Sequence, residues 1–176
     1  MNVVQLIATE HAAIANLLDR SVSTHGESPA HAFAREAAVR VRAWLRAEEE
    51  VLFTAVFVVA PDRDLLPLQA HGRMGQLAAG VLGCADSDLA YLRPVLQLQQ
   101  AATRYAELQT GAWSACLARL FSDAELRQLR GAMLLELSAD ALARTRPVRR
   151  LGGRPPTLHA VVPHGMVGKR HAAQHR

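Results

Sequence analysis

The sequence predicts an all-α protein: an antiparallel up-down-up-down four-helix bundle with an additional C-terminal helix, followed by a disordered basic tail. Three observations lead there. Apolar residues recur at spacings of three and four through residues 1–143, the period of a helix with one buried face. No alternating pattern of strand type extends beyond a few residues. Charge is also divided sharply by position. All 16 acidic residues lie at or before Asp140, so residues 1–143, with 12 Lys/Arg, carry a balance of −4, whereas residues 144–176 hold eight Lys/Arg and no acid, a balance of +8. The net charge of +4 therefore belongs to a tail and not to a folded domain. Its Gly152-Gly153 and Pro155-Pro156 pairs offer it no apolar face to pack. The division read from this is a bundle at 1–143 and a tail at 144–176.

Composition narrows the class further. With 176 residues, 50% of them hydrophobic, the chain can bury the core of a single domain and is too apolar to be disordered throughout. Its two cysteines, Cys84 and Cys116, allow at most one bridge, which excludes a disulfide scaffold. The run Val51 to Ala60, broken only by Thr54, is far short of the ~20 residues needed to span a bilayer. The opening Met1-Asn2-Val3-Val4-Gln5 has no basic region before an apolar stretch, so no secretory leader is read there. The expectation is a soluble, cytoplasmic protein with no membrane span.

Each helix has a local reason to begin. Asn2 with Gln5 reads as a capping box opening a first helix to about Arg20. Ser28 as N-cap and Pro29 at the first helical position open a second, to about Val59. Asp64 or a neighbour opens a third, with Pro67 tolerable in its first turn, to Leu82 before Gly83. A fourth runs from about Asp88 to Leu120, where Pro94 either marks the true start or kinks the helix. Ser122 with Glu125 is a second capping box, opening a fifth helix to about Ala143.

The informative residues are polar ones at positions where the seams call for apolar side chains. His11 interrupts Val4, Ile7, Ile14, Leu18; Glu48 interrupts Val41, Trp44, Leu52, Ala55. His71 interrupts Leu68, Gly75, Ala78, Leu82, and the fourth seam, Leu98, Ala102, Ala112, Cys116, carries Tyr105 and Gln109. A buried carboxylate without a partner costs several kcal/mol or more, so Glu48 requires one. Two histidines and a carboxylate arriving from three helices are a metal-ligand set. Two plainer readings stand beside it. Each histidine can be a satisfied core residue, and Tyr105 and Gln109 can hydrogen-bond each other or Glu48 in a polar core layer. Trp44 and Trp113 are read as core packing.

These residues also resemble a known family, the hemerythrin-like or HHE cation-binding domains. The likeness rests on Glu10-His11, on the run Arg46-Ala47-Glu48-Glu49-Glu50-Val51-Leu52-Phe53, on Ala70-His71 early in the third helix, and on Phe121-Ser122-Asp123-Ala124-Glu125-Leu126 after the fourth. It covers about residues 1–143. In that family two metal ions, usually iron, sit among four helices, held by histidines on the first and third and by His-x-x-x-Glu pairs on the second and fourth. Residues i and i+4 share a helix face, which is why such a pair reaches one centre. His11, Glu48 and His71 match the pattern. Trp44 stands where the second-helix histidine belongs, and Tyr105 and Gln109 replace the fourth-helix pair. Trp cannot ligate a metal and Gln is a poor substitute for a bridging carboxylate, which argues against a complete oxygen-binding di-iron centre and against oxygen-dependent catalysis.

Two functions remain open from the sequence. In one, His11, Glu48 and His71 hold a single divalent ion, iron favoured, for sensing or storage, with Tyr105 and Gln109 beside the ligands. In the other the centre is vestigial, Trp44 and Tyr105 fill its volume, and the bundle is a metal-free structural or interaction module. The tail's charge would attract nucleic acid or an anionic surface without sequence specificity. It has no aromatic residue to stack on bases, and the simpler reading is a solubilising extension. No Cys-x-x-Cys, Glu-x-x-His or Gly-x-Ser-x-Gly motif occurs, which leaves zinc, ferritin-type and serine-nucleophile chemistry without support.

Overall fold

Two helix starts in this protein, at Asn2 and Ser122, are built from side chains that supply the hydrogen-bond partners the first turn lacks. In the computed structural model, which describes residues 1–25, 29–61, 67–84 and 91–145, helix α1 (Val3–Ser23) opens on Asn2. The Asn2 Oδ1 accepts from the Gln5 N–H at 3.3 Å while Gln5 Oε1 accepts from the Asn2 N–H at 2.8 Å, the reciprocal box expected from the sequence. The last helix, α7 (Asp123–Thr145), opens the same way: the Ser122 N–H donates to Glu125 Oε2 at 2.8 Å and the Glu125 N–H to Ser122 Oγ at 3.4 Å. The proposed starts at Ser28, Asp64 and Asp88 lie outside the described residues, as does the tail beyond residue 145. Pro67 occupies the cap position before α4 (Leu68–Gly83), and Pro94 sits in the first turn of α5 (Leu92–Leu108). There its missing N–H costs nothing, and no kink is needed to explain it.

The second and fourth predicted helices are each continuous rods with a π-helical turn inside. The second comprises α2 (Pro29–Ala47), π1 (Glu48–Phe53) and α3 (Thr54–Val59). The fourth comprises α5, π2 (Gln109–Trp113) and α6 (Ser114–Leu120). A hydroxyl closes each wide turn from below: Thr54 Oγ1 donates to the Glu49 carbonyl at 3.0 Å and Ser114 Oγ to the Gln109 carbonyl at 2.6 Å. An extra residue in a turn advances the buried face by one position. That is why Val56 and Trp113 are buried where the uninterrupted period assigned Ala55 and Ala112, which are half-buried and exposed respectively. On α4 the buried face runs His71, Met74, Ala78, Val81. The sequence seam through Leu68, Gly75 and Leu82 is therefore displaced by one position, and Leu68 is 49% exposed.

Among the described residues the secondary structure is entirely helical. Helix α1 packs on α2 and on α5, and α4 packs on the same two, so the four enclose a common core. Helix α7 lies against α1, α2 and π1, inserting Leu126 and Met133 into that core. Side chains fix the relative rotation of the pairs. The Arg40 guanidinium forks onto Glu10 at 2.8 and 3.1 Å, joining α2 to α1, and Gln99 donates to Asp19 at 2.6 Å, joining α5 to α1. None of the described helices is long and apolar enough to cross a membrane.

The hydroxyl under π2 gives a direct test. Ser114→Ala removes the only polar group of a buried side chain that serves the Gln109 carbonyl and should cost about 1 kcal/mol in urea denaturation. Thr110→Val, whose hydroxyl bonds its own helix at the exposed surface, should change stability by less than about 0.5 kcal/mol.

Candidate functional site

Six polar or aromatic side chains from four rods meet in one layer of the core. His11 comes from α1, Trp44 from α2, Glu48 from the start of π1, His71 from α4, Tyr105 from α5 and Gln109 from the start of π2. All six are buried, and His11, Glu48 and His71 are only 5%, 0% and 6% exposed. The i, i+4 spacing of Trp44 to Glu48 and of Tyr105 to Gln109 aims each pair at this layer, and both π turns begin within it.

The layer is organised by a donor chain. Gln109 Nε2 donates to the Tyr105 hydroxyl at 2.9 Å, which donates to Glu48 Oε2 at 2.7 Å. Tyr105 therefore stands at the centre. The His11 ring meets it edge-on at 5.6 Å between centroids and meets Trp44 at 5.9 Å, and the His71 ring lies 6.3 Å from it on another side. His71 is turned away from Glu48: its Nε2 lies 3.0 Å from the Leu45 carbonyl, placing the proton there, and its Nδ1 lies 3.7 Å from Glu49 Oε1. Glu49, at the surface, is thus the carboxylate nearest this imidazole, a partner that helical spacing alone did not single out.

The electrostatics follow from burial. Desolvation pushes the Glu48 carboxyl up to about 8, against which the Tyr105 hydroxyl and the neighbouring Trp44 indole pull only in part, and the Glu49 charge adds to the rise. Desolvation also lowers His11 to about 4, with Glu10 opposing. Tyr105 is held well above the ordinary phenol range, first by burial and then by Glu48. At neutral pH the carboxyl is largely protonated and the His11 ring and phenol are neutral, so these three groups carry almost no charge.

Hydrogen bonding in the layer is incomplete. Of six buried side-chain atoms without a partner among the described residues, four lie here: His11 Nε2, Trp44 Nε1, Glu48 Oε1 and Gln109 Oε1. The Trp44 N–H lies near enough to Glu48 to stabilise its charge yet outside hydrogen-bond geometry. Two of the orphans, His11 Nε2 and Glu48 Oε1, belong to expected metal ligands. The third expected ligand, His71, has Nε2 hydrogen-bonded to the Leu45 carbonyl, while its Nδ1 lies 3.7 Å from Glu49 Oε1. No three His, Cys, Asp or Glu side chains among the described residues lie close enough to hold an ion. As arranged, His71 Nε2 is taken up by the Leu45 carbonyl, and among the described residues His11, Glu48 and His71 are not gathered into one ligand set. Cys84 and Cys116 are both free.

A groove of about 520 Å³ runs between α1 and α5, and His11 forms part of its wall. The imidazole thus separates the groove from the core layer. Neither the groove nor the π turns was read from the sequence. The Thr54 and Ser114 hydroxyls are the nearest local signal for the turns, and such residues are common enough in helices to pass unnoticed. No family model, curated protein or solved structure matches this chain.

Opposed shifts on Glu48 and His11 set a pH profile. Between about pH 4.5 and 8 the native state holds a Glu48 proton that the unfolded chain has released, so stability falls as pH rises. Between about pH 4 and 6.5 the unfolded chain holds a His11 proton that the native state lacks, so stability rises with pH. The two nearly cancel from about pH 4.5 to 6.5, leaving an uncompensated loss of about 2 kcal/mol as pH rises from 6.5 to 8. Urea denaturation across pH 5–9 should show that decline in the wild type and its absence in Glu48→Gln.

Proposed function

We propose that this chain is a metal-free helical-bundle module, in which a hemerythrin-like plan of four antiparallel, up-down-up-down helices keeps an uncharged hydrogen-bonded layer where the family holds metal. The observation that carries the reading is the Tyr105 hydroxyl 2.7 Å from Glu48 Oε2. It occupies one of the two carboxylate oxygens a cation could use, and it does so with a group that burial keeps protonated. Trp44 and Tyr105, each fully buried, take up the volume between the helices. Such a module works through contacts at its surface. Phe57, Val58 and Val59 at the end of α3 are 62%, 74% and 51% exposed, and exposed apolar groups of this size mark contact surfaces. The basic segment at 144–176 would bring it to anionic partners.

A second reading has its own support. The unpartnered His11 Nε2 and Glu48 Oε1 are the two free donor atoms with which one divalent ion, iron or another, could begin to bind, with His71 turned inward to complete the set.

One experiment separates them. Purified protein is melted with EDTA and with excess Fe(II), Mn(II) or Zn(II), alongside His71→Ala and Glu48→Gln. The metal-free reading expects all wild-type melts to agree within about 1 °C. An ion bound at a hundred times its Kd would add about 2.7 kcal/mol, several degrees for a domain of this size. Such a gain in the wild type that both variants lose would establish the second reading. Tyr105→Phe probes the layer itself: it strips Glu48 and Gln109 of their shared partner and should destabilise by about 1–3 kcal/mol in denaturant titration.

A further inference from the structure

Helix α7 carries apolar side chains on two opposite faces. Leu126 and Met133 are 3% and 0% exposed and insert into the bundle. Leu135 lies two residues past Met133, about 200° around the helix axis, and is 73% exposed. Leu142, one heptad further along, is 69% exposed. A helix that is apolar on both sides belongs between two layers. The outward residues Gln128, Gly131, Leu135, Ser138 and Leu142 are spaced alternately by three and four, the seam along which two helices pair. Every exposed residue from Gln128 to Leu142 is uncharged, and the charged residues of this stretch, Arg130, Glu136 and Asp140, are half-buried. The outward faces of α1 and α2 differ: they carry Asp19, Arg20, Arg35 and Glu36.

Two details fit the seam for burial. Ser138 Oγ donates to the Leu134 carbonyl at 2.7 Å, so its hydroxyl needs no water. At Gly131 a side chain would meet nothing of its own fold within 4 Å, and the glycine leaves a notch on this face.

Charge selects the occupant. The first turn of α7 is acidic, with Asp123 and Glu125, and the sequence at its end is basic, with Arg144 and Arg146. A second α7 laid antiparallel brings each basic end to an acidic start, whereas a parallel one sets like charge against like. Overlap along all 23 residues puts the two-fold axis near Leu135. The two Leu135 side chains then meet across the axis, and Leu142 of each copy falls on the Gln128–Gly131 stretch of the other. The face complements itself, as a two-fold pair requires. Helix α7 is about 34 Å long and about 10 Å across, a footprint below the ~800 Å² per partner of a standard interface. Such a pairing is reversible.

We propose that α7 pairs antiparallel with α7 of a second copy of this chain, through a seam centred on Leu135.

Sedimentation equilibrium of the full chain at about 5–500 µM, the affinity range of a small interface, tests it. EDTA is present throughout, so that association bridged by metal is kept apart from this one. The mean mass should rise with concentration from 19.1 kDa towards twice that value. Leu135→Glu and Gly131→Trp, both at exposed positions, should abolish the rise without lowering the melting temperature of the dilute protein. Phe57→Glu, in the exposed apolar group at the end of α3, should leave the rise intact. Asp123→Lys should weaken pairing by up to about fivefold. The mass of a single chain at every concentration, a rise that survives Leu135→Glu, or a rise lost in Phe57→Glu would overturn the proposal. Tighter association of Asp123→Lys would overturn the antiparallel orientation.

Discussion

A carboxyl group with no exposure to water governs the interior of this protein. Glu48 is fully buried in the helical core, where an unpartnered charge would cost several kcal/mol, a large share of a domain's net stability. The chain meets this constraint in two ways at once. Burial raises the carboxyl pKa so that the proton stays on, and Tyr105 supplies a hydroxyl at hydrogen-bond distance. The two pull in opposite directions on the proton, since the phenol hydrogen bond favours the ionised carboxyl, and burial prevails. Gln109 extends the chain by one more donor and thereby fixes the phenol in place. The two π turns start on the two ends of this chain, Glu48 and Gln109. Widening the helix there moves the following residues, Phe53 and Trp113, into edge contact at 5.7 Å, packing the layer from below.

The side chains at 44, 105 and 109 act together: Trp44 fills space between the helices, Tyr105 satisfies one oxygen of the buried carboxyl, and Gln109 orients the tyrosine. His71 is drawn off by the Leu45 carbonyl and by Glu49. The result is a chain from Gln109 through Tyr105 to Glu48 in which polarity is retained and the carboxyl charge is not. The four unpaired atoms that remain mark where hydrogen bonding stops short, and one of them belongs to His11, the ring that borders the alanine-lined groove. Core layer and groove thus share a wall.

Much of this was legible along the chain. Capping boxes at Asn2 and Ser122 are local chemistry, complete within four residues, and they stand in the structure as read. Burial of His11, Glu48, His71, Tyr105 and Gln109 followed from helical period, which is also local. The same period misassigned Ala55, Ala112 and Leu68. A single inserted residue in a π turn, or one position of helix rotation, shifts the face without altering composition.

The sequence by itself determined the helices, most of the buried polar positions and the separation of a basic segment from the rest. Only the tertiary structure decided which of those polar groups would be partners. It set Tyr105 against Glu48, turned His71 towards Glu49, and opened a groove beside His11. The physical reason is that spacing fixes a side chain's direction around its own axis. Hydrogen bonds across helices depend on how far one rod is slid and rotated against the next, and that is settled by the packing of all of them at once.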